Sequence, residues 1–483
     1  MIRFSAVGYI VGQLLLALAA TMAVPLAYGL AAGGGGLGSL AGAAALTAAA
    51  GAGLVRWLPR PRQEINQREA LLLVVASWLA VAFFGCLPFY LSPHFPSFCD
   101  AFFESASGFT TTGATVLARV EVLPAPLQFW RCFSHWLGGL GIVLLVVAVL
   151  PLVGHGGMHL YRAEFSGARS EKLKPRVTET ALSLWRIYVT LSVAEYAALR
   201  WAGMAPFDAL CHTFSTLGTG GFSTRTASLA AFESPRIEAI VTIFMLLAGT
   251  SFVQQYRLWV EREPRSVLSD VEIRGYFLVA AVASLVIAAV LMAHSGHTPY
   301  LALREASFQV ASILTTTGFV TADFEAWHPL PQLVLLALMF VGGCTGSTAG
   351  GLKTARLLLL AKVVNREFKR MVERRGVFAV RLGGRVIPEE AVQSLLNLVY
   401  LAFVVNFAAC LALAAVGVDV LTAISAVAAS MFNVGPGLGT VGPLDHYGHL
   451  PALAKWTLAG CMIAGRLEFY TVIVILTPAF WRR

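Results

Sequence analysis

A short motif rich in threonine and glycine occurs four times in this chain, each time directly after an apolar stretch. The copies lie at residues 110–115, 219–223, 315–319 and 433–437. Their aligned glycines, which are separated by 108, 97 and 117 residues, are Gly113, Gly221, Gly318 and Gly435. A second recurring feature is a polar residue thirteen positions before each glycine. These residues are Asp100, Asp208, Glu305 and Thr422. Two recurring features in one register indicate a structural unit that is repeated four times.

The composition places these units in a membrane. The 483 residues are 57% hydrophobic and only 13% charged, whereas soluble domains carry about 25% charged residues. A membrane-spanning helix needs about 20 mostly apolar residues, and many segments of the chain meet that requirement. We therefore expect a helical protein that crosses the membrane several times.

The basic residues indicate how the chain is oriented. The formal net charge is +9, but 27 of the 35 Lys and Arg residues fall on one side when the loops are assigned alternately to the two sides of the membrane. Cytoplasmic loops carry such an excess. We expect both termini to be cytoplasmic and the four motifs to face outward. Binding to nucleic acid is then not needed to explain the net positive charge.

The spacing predicts an all-α integral membrane fold with five parts. An accessory pair of transmembrane helices occupies residues 1–69, and four tandem repeats occupy 70–154, 155–261, 262–386 and 387–483. Each repeat reads as a span, a short pore helix, the Thr/Gly loop and a second span. Because every repeat crosses the membrane twice, all four share one orientation and surround a pseudo-fourfold axis along the membrane normal.

Helix bounds follow from the apolar stretches. The predicted short helices lie at 98–109, 207–217, 301–314 and 420–432. The predicted second spans lie at 127–150, 236–260, 333–360 and 451–478. Three short helices begin near a carboxylate that we expect to cap free amides, at Asp100, Asp208 and Glu305.

The short helices predict a pore. At about 11 residues, or roughly 17 Å, each enters the bilayer without crossing it. Non-helical backbone at that depth survives only when it is buried in protein or lines a water-filled path. A tight turn in an external loop would explain one such glycine, but four in register favour loops that meet on one axis. The negative ends of the short helices then favour a cation there.

Glycine in each loop allows backbone angles that turn consecutive carbonyl oxygens inward. Rings of carbonyl oxygens replace the hydration shell of a monovalent cation. The threonine hydroxyls have two open roles, either as additional oxygen ligands or as caps of the short helices. The residues that we expect to form the filter are Thr111, Thr112, Gly113, Gly220, Gly221, Thr316, Thr317, Gly318, Asn433, Val434 and Gly435.

These motifs resemble those of the Trk/Ktr/HKT superfamily of potassium transporters, and most of all its bacterial TrkH-like branch. The resemblance covers the whole chain, including the helical pair before the repeats. It implies that the four glycines mark a selectivity filter, and Gly113 implies a preference for K⁺ over Na⁺. The chain departs from the family pattern at Gly220 and at Asn433-Val434. The positions expected to hold K⁺, with no covalent cofactor, are Thr111, Thr112, Gly220, Thr316, Thr317, Asn433 and Val434.

A glycine-rich stretch inside the third repeat's second span predicts a gate. Residues 342–353 contain five glycines, each of which costs about 1 kcal/mol in a helix relative to alanine. We expect a broken helix that forms an intramembrane loop on the cytoplasmic side of the filter, as the resemblance also implies. Tight glycine packing between helices is the alternative. The expected gate residues are Gly346, Ser347, Thr348, Gly350, Gly351, Lys353 and Arg466.

Arg466 belongs to this set because it lies deep in the last span. A charge there must face a cavity or a partner. The resemblance places an arginine near the gate, where it opposes cation flow and holds carbonyls of the loop. Glu468 is a poor partner for it, since residues two apart do not share a helix face.

Residues 353–385 hold ten basic residues and have two open interpretations. One is attraction to anionic lipid head groups. The other is a docking surface for a cytosolic regulator, which the resemblance implies to be a nucleotide-binding subunit like TrkA. The resemblance also implies a homodimer in a prokaryotic plasma (inner) membrane.

Two other functions compete with channel-like potassium uptake. A proton- or sodium-coupled potassium symporter needs carboxylates at mid-membrane, and Glu195, toward the outer end of its span, is the candidate. A membrane enzyme needs a cluster of nucleophiles, acids or metal ligands within the membrane. The sequence shows no such cluster, so we expect no enzymatic activity.

Overall fold

The computed structural model of the protein describes residues 2–63, 65–148, 177–374 and 376–482. Nearly all regular structure in them is helical, as predicted. Within these described ranges, five helices are long and apolar enough to cross a membrane, or up to seven if each of two bent helix pairs counts as one crossing. The predicted boundary between the first two repeats, at residues 154 and 155, lies outside the described residues.

The N-terminal pair consists of α1 (Phe4–Ala32) and α2 (Leu37–Trp57). The turn between them has left-handed backbone at Gly33 and Gly36. The two helices pack closely at Gly12 and Gly51, where a Cβ atom on Gly51 would lie 2.8 Å from the carbonyl oxygen of Gly12. The pair packs against the first unit through both helices, with α1 against α3 and α6 and α2 against α4.

Four units follow, and each contains a long helix, a short buried helix and a helix that follows the Thr/Gly loop. The first unit has α3 (Gln67–Gly85), α4 (Leu87–Tyr90), α5 (Phe98–Phe109) and α6 (Ala125–Ala148). The second has α7 (Val177–Trp201), α8 (Pro206–Leu217), α9 (Pro235–Ala248) and α10 (Phe252–Trp259), with α11 (Pro264–Leu268) leading out of it. The third has α12 (Val271–His294), α13 (Pro299–Leu314), α14 (Pro329–Val341) and α15 (Thr354–Val372). The fourth has α16 (Glu389–Ala415), α17 (Val420–Met431), α18 (Ala452–Arg466), α19 (Tyr470–Leu476) and α20 (Pro478–Trp481).

The short helices α5, α8, α13 and α17 start and end within two residues of the predicted bounds. Their C-terminal ends are enclosed by protein. Every residue of α5 from Asp100 to Phe109 is buried, and α17 is buried continuously from Ser425 onward. The first turns of α13 and α17 are more exposed, as at Tyr300 and Val420, so it is the end that leads into the Thr/Gly loop that lies inside the helix bundle.

The carboxylates at the starts of the short helices do not cap them, contrary to the prediction. Ser97 caps α5 and Thr298 caps α13 through their hydroxyls, while α8 has no side-chain cap. The three carboxylates instead meet basic side chains. These pairs are Asp100 with Lys455, Asp208 with Arg225 at 3.2 Å, and Glu305 with His297 at 3.4 Å.

The second spans differ most from the prediction. The sequence predicts a broken helix in the third unit, and residues 342–353 do separate α14 from α15. Two further breaks were not predicted. α9 and α10 meet at 103°, and α18 and α19 meet at 113°. Gly249 to Ser251 separate the first pair, and left-handed backbone at Glu468 and Phe469 separates the second.

A small hairpin is the exception to the all-α prediction. Strands β1 (Arg381–Leu382) and β2 (Arg385–Val386) pair antiparallel in the segment between α15 and α16. Gly383 and Gly384 form the turn with positive φ angles, which suits a two-residue hairpin loop.

The contact between α1 and α2 gives a test of the packing. Gly51→Ala places its Cβ 2.8 Å from Gly12 O and 3.0 Å from Leu16 N. We expect this overpacking to cost about 1–3 kcal/mol and to lower the midpoint of thermal unfolding in detergent. Gly53→Ala is the matched control, since its Cβ meets only the Trp57 ring at 3.7 Å. Equal midpoints for the two variants would contradict the close packing.

Candidate functional site

The four short helices end in the same hydrogen-bond pattern. In the first unit, Thr111 N donates to Gly108 O at 3.1 Å and Thr112 N donates to Ser107 O at 2.9 Å. The same two bonds recur at the ends of α8, α13 and α17. This pattern is the Schellman motif, which needs a left-handed residue just after the helix. The residues in that position, with φ between 54° and 57°, are Thr111, Thr219, Thr316 and Asn433.

Three of these left-handed residues are threonines, which rarely adopt such angles. Glycine usually fills this position, and a β-branched residue there is strained. Strain of this kind persists only where surrounding structure imposes it, and it clusters at functional sites. Its recurrence at one register in three units makes these loops the candidate site.

A second left-handed residue follows two positions later in each loop, and here it is glycine. The φ angles are 84° at Gly113, 78° at Gly221, 82° at Gly318 and 103° at Gly435. These are the four glycines that the sequence aligns. Their backbone angles are open to glycine and costly for other residues, so the glycines are required by conformation as well as by space.

The four glycines form a closed ring. Each lies against the carbonyl oxygen that precedes the glycine of the next unit, so that a Cβ atom would collide with it. Gly113 meets Gly220 O, Gly221 meets Thr317 O, and Gly318 meets Val434 O. Gly435 closes the ring onto Thr112 O, 2.6 Å from the position of a Cβ. All four glycines line one cavity that is partly open to solvent.

The threonine hydroxyls in the ring bond to protein. Thr112 Oγ1 lies 2.8 Å from Thr110 Oγ1, and Thr317 Oγ1 lies 2.7 Å from Thr315 Oγ1. In the fourth unit, Asn433 Nδ2 donates to Thr112 Oγ1 at 2.9 Å and to Met462 O at 3.0 Å. These bonds support the loops, whereas Thr111 Oγ1 is buried without a hydrogen-bond partner among the described residues. The two roles that the sequence leaves open, ion ligand and helix cap, stay predictions.

The second unit lacks a side chain at Gly220, and His135 of α6 fills that space. A Cβ on Gly220 would collide with the imidazole ring of His135. The ring stacks on Phe222 with centroids 4.1 Å apart, and Phe222 N donates to Nδ1 at 3.4 Å. His135 is fully buried. The departure from the family pattern at Gly220 is thus matched by a residue from the neighbouring unit.

A polar side chain on each short helix bonds to the chain beyond the glycine. Glu104 accepts from Val116 N at 2.9 Å, and His212 Nε2 bonds to Ser223 Oγ at 2.9 Å. Gln309, with its amide oxygen turned to the loop, accepts from Thr321 N at 2.9 Å. Ser425 accepts from Leu438 N at 2.8 Å. These bonds fix the chain that follows each ring glycine.

A buried ion pair supports the first two loops. Arg131 Nε lies 2.5 Å from Glu104 Oε1, and both side chains are at most 2% exposed. Arg131 also donates to Ser223 O at 3.0 Å and lies over the Phe222 ring. Neither Glu104 nor Arg131 was predicted as functional. The sequence feature that could have identified them is one charged residue of each sign in neighbouring apolar segments.

The outer loops are also linked across units. Glu325, which follows the third loop, accepts from Gly439 N of the fourth. Burial raises the pKa of the Glu325 carboxyl above its ordinary value, and the bond from Gly439 opposes that rise. This contact ties the chain beyond Gly318 to the chain beyond Gly435.

The predicted gate loop crosses the other side of the ring. Thr348 Oγ1 contacts Leu217 O at 3.0 Å, Gly350 N donates to Thr316 Oγ1 at 2.6 Å, and Gly351 N donates to Phe432 O at 3.1 Å. These partners precede the ring glycines, whereas the cavity is lined by residues that follow them. The loop and the cavity therefore lie on opposite sides of the ring.

Arg466 joins this loop to the first unit. Its Nη1 donates to Thr348 O at 2.8 Å and its Nη2 to Gly138 O at 3.3 Å. Glu468 pairs with Arg356 at 2.8 Å, in keeping with the expectation that it is a poor partner for Arg466. The gate loop thus contacts residues of all four units.

The remaining predicted gate residues lie at the base of the loop. Gly346 O accepts from Phe252 N at 3.0 Å, and Ser347 Oγ donates to Cys344 O at 2.6 Å. Lys353 Nζ donates to Ala349 O within the loop. Cys344 N donates to Gly249 O at 2.8 Å, so the unpredicted break between α9 and α10 is where the loop docks.

Comparison with known proteins decides the family. A family model described as "TrkH: Cation transport protein" matches residues 41–482. The chain belongs to the TrkH family of cation transport proteins. The family that the four motifs predict is therefore confirmed.

TrkH-family relatives match over nearly the whole chain. The Trk system potassium uptake protein TrkH of Salmonella typhimurium is 43% identical over 89% of this chain and 90% of its own length. The protein of the same name from Escherichia coli K12 is 41% identical over 99% and 100%. The crystal structure of the potassium transporter TrkH from Vibrio parahaemolyticus matches with a TM-score of 0.92 and 37% identity over 100% of both chains.

The contact between Gly220 and His135 gives a test of the ring in this TrkH-family protein. Gly220→Ala alone should destabilise the protein, because its Cβ collides with the imidazole. In a His135→Ala background the same change should cost less, with a coupling of about 1–3 kcal/mol in a double-mutant cycle. Thermal unfolding of the four proteins in detergent measures it. Additive effects would show that the two residues do not share this space.

Proposed function

We propose that this protein conducts K⁺ into the cell through a filter of backbone carbonyl oxygens. The observation that carries the proposal is the closed ring, in which four carbonyl oxygens lie against four glycines of successive units. Rings of carbonyl oxygens replace the hydration shell of K⁺. The names of the relatives, which are potassium uptake proteins, support K⁺ as the transported ion.

The proposed architecture is four tandem repeats of span, pore helix and span around a pseudo-fourfold pore, after an accessory helical pair. The proposed parts are 1–69, 70–154, 155–261, 262–386 and 387–483. The recurring order of a long helix, a buried short helix and a following helix supports this division. The common Schellman end of the four short helices supports a shared orientation toward one axis.

The ion would be held by carbonyl oxygens of the residues before each glycine. Thr112, Gly220, Thr317 and Val434 supply the oxygens that lie in the ring. The left-handed Thr111, Thr316 and Asn433, one position earlier, are the proposed source of a second layer of carbonyls. The helix ends behind them carry partial negative charge, which favours a cation.

The gate is proposed to be the loop of residues 342–353. It is broken backbone that reaches residues of all four units on the side of the ring away from the cavity. Arg466 holds Thr348 O in that position. A cation leaving the ring would meet this loop and the guanidinium charge, so the loop must move for conduction.

We propose a multi-pass protein in a prokaryotic inner membrane, with both termini cytoplasmic and a homodimeric assembly. The distribution of basic residues supports the orientation. The segment from α15 to the β-hairpin carries basic side chains and exposed apolar ones such as Phe368 and Met371. That combination suits membrane lipid as well as a cytosolic nucleotide-binding regulator. The words "Trk system" in the names of the relatives suit an assembly of several components.

Coupled symport is the less favoured function. Its candidate, Glu195 of α7, is buried but is not among the residues that line the cavity. In the part of the chain that the structure describes, the acidic residue lining that cavity is Asp445, in the loop after the fourth glycine. A carboxylate that exchanges protons or sodium with the transported ion would need to lie on the path.

Substitution of Gly113 tests the filter. Gly113→Ser adds a Cβ that collides with Gly220 O at a left-handed position. We expect ⁸⁶Rb⁺ uptake into proteoliposomes to fall at least about tenfold, or its preference over Na⁺ to weaken. Gly203→Ser is the matched control, because Gly203 has φ +96° and open space around it. Wild-type rate and ion preference in Gly113→Ser would exclude Gly113 from the filter.

Removal of Arg466 tests the gate. Arg466→Ala removes the guanidinium charge and its hydrogen bonds to Thr348 O and Gly138 O. A hydrogen bond to a charged group contributes about 1.5–3 kcal/mol to stability. We expect basal ⁸⁶Rb⁺ flux without a regulator to rise about tenfold or more. Arg186→Ala, at an exposed position of α7, controls for the lost charge. An unchanged basal flux in Arg466→Ala would refute the role of Arg466.

A further inference from the structure

One carboxylate oxygen joins the two ends of the gate loop. Glu272 lies in the first turn of α12, and its Oε1 accepts from Thr345 N at 2.6 Å and from Ala355 N at 3.2 Å. Thr345 stands where the loop begins, and Ala355 is in the first turn of α15, where the loop has ended. Apart from Arg466, every expected gate residue lies between these two donors.

The start of α15 depends on this carboxylate. The first amides of a helix have no acceptor within the helix, and Lys353 at the N-cap position makes no side-chain cap bond. Glu272, on the neighbouring helix α12, therefore accepts a hydrogen bond from a free amide at the start of α15, as a local capping residue would. Its negative charge is also favoured at the positive end of a helix.

We propose that Glu272 is a positioning residue that latches the base of the gate loop and keeps the gate closed. This inference rests on the proposed function, because it takes the loop of residues 342–353 to be the gate. A loop with glycines at positions 346, 350 and 351 has much conformational freedom, and fixing both ends removes a large part of it. The latch thereby holds the tip of the loop against the ring.

The position of the latch also explains how a distant event opens it. α15 begins at the latch and extends to Val372 in the basic segment. Movement of α15 away from α12 separates Ala355 N from Glu272 Oε1 and so releases the end of the loop that α15 carries. Movement at the far end of α15 thus reaches the loop without contact with the ring itself.

Neutralisation of Glu272 tests the latch. Glu272→Gln keeps the shape of the side chain but loses the charge-assisted bonds, which are roughly twice as strong as neutral ones. We expect basal ⁸⁶Rb⁺ flux without a regulator to rise about five- to tenfold. Glu263→Gln, at an exposed position before α11, is the control for the lost charge and should leave flux unchanged.

A native thiol reports on the loop independently of transport. Cys344 is fully buried next to Thr345, so its labelling by N-ethylmaleimide, followed by peptide mass spectrometry, should also quicken about five- to tenfold in Glu272→Gln. Cys86, which is equally buried and lies between α3 and α4, should label at the wild-type rate if the protein stays folded. The ratio of the two rates separates release of the loop from general unfolding.

The outcomes distinguish the latch from the proposed function. Faster Cys344 labelling together with higher flux supports the latch. Unchanged labelling of Cys344 overturns it, and faster labelling with unchanged flux shows that Glu272 does not keep the gate closed. If wild-type protein and all variants carry no Rb⁺, the proposed transport fails, and the labelling ratio alone still decides whether Glu272 holds the loop.

Discussion

Four backbone carbonyl oxygens that face into one ring impose the main constraint on this structure. The oxygens of Thr112, Gly220, Thr317 and Val434 lie against the ring glycines, and among the described residues none of them accepts a backbone hydrogen bond. Buried carbonyls without partners are costly. In the function that we propose, a bound cation relieves this cost, and the scaffold holds the ring ready for it. The strained threonines, the Schellman ends and the side-chain bonds behind the loops supply that rigidity.

The ring requires the same backbone in every unit but not the same side chains. The first and third units use paired threonine hydroxyls, the second places His135 where Gly220 has no side chain, and the fourth uses the Asn433 amide. Asn433 sits in a left-handed conformation that asparagine tolerates better than threonine does. The four units therefore reach one backbone geometry through local solutions that cross unit boundaries.

What the sequence predicts here depends on whether the cause is local. The short helices and ring glycines are found because apolar length and glycine position recur in one register. The break at Gly249 is not found, because it is stabilised by contact with Cys344 about a hundred residues later. Asp100 stands at the expected helix start, yet Ser97 provides the cap and Lys455 pairs with the carboxylate. Arg131 and Glu104 were not predicted as functional, because only the fold brings the two charges together.

The loop that we propose as the gate bonds to two of the loops that we propose as the filter. Gly350 N donates to Thr316 Oγ1, and Thr316 is the strained left-handed residue of the third Thr/Gly loop. Gly351 N donates to Phe432 O, next to the left-handed Asn433 of the fourth. If the loop moves for conduction, as we propose, both strained loops lose a bond that helps to hold them. In that mechanism the closed gate stabilises the ring that it blocks, and after opening the charge of the ion holds the carbonyls in place.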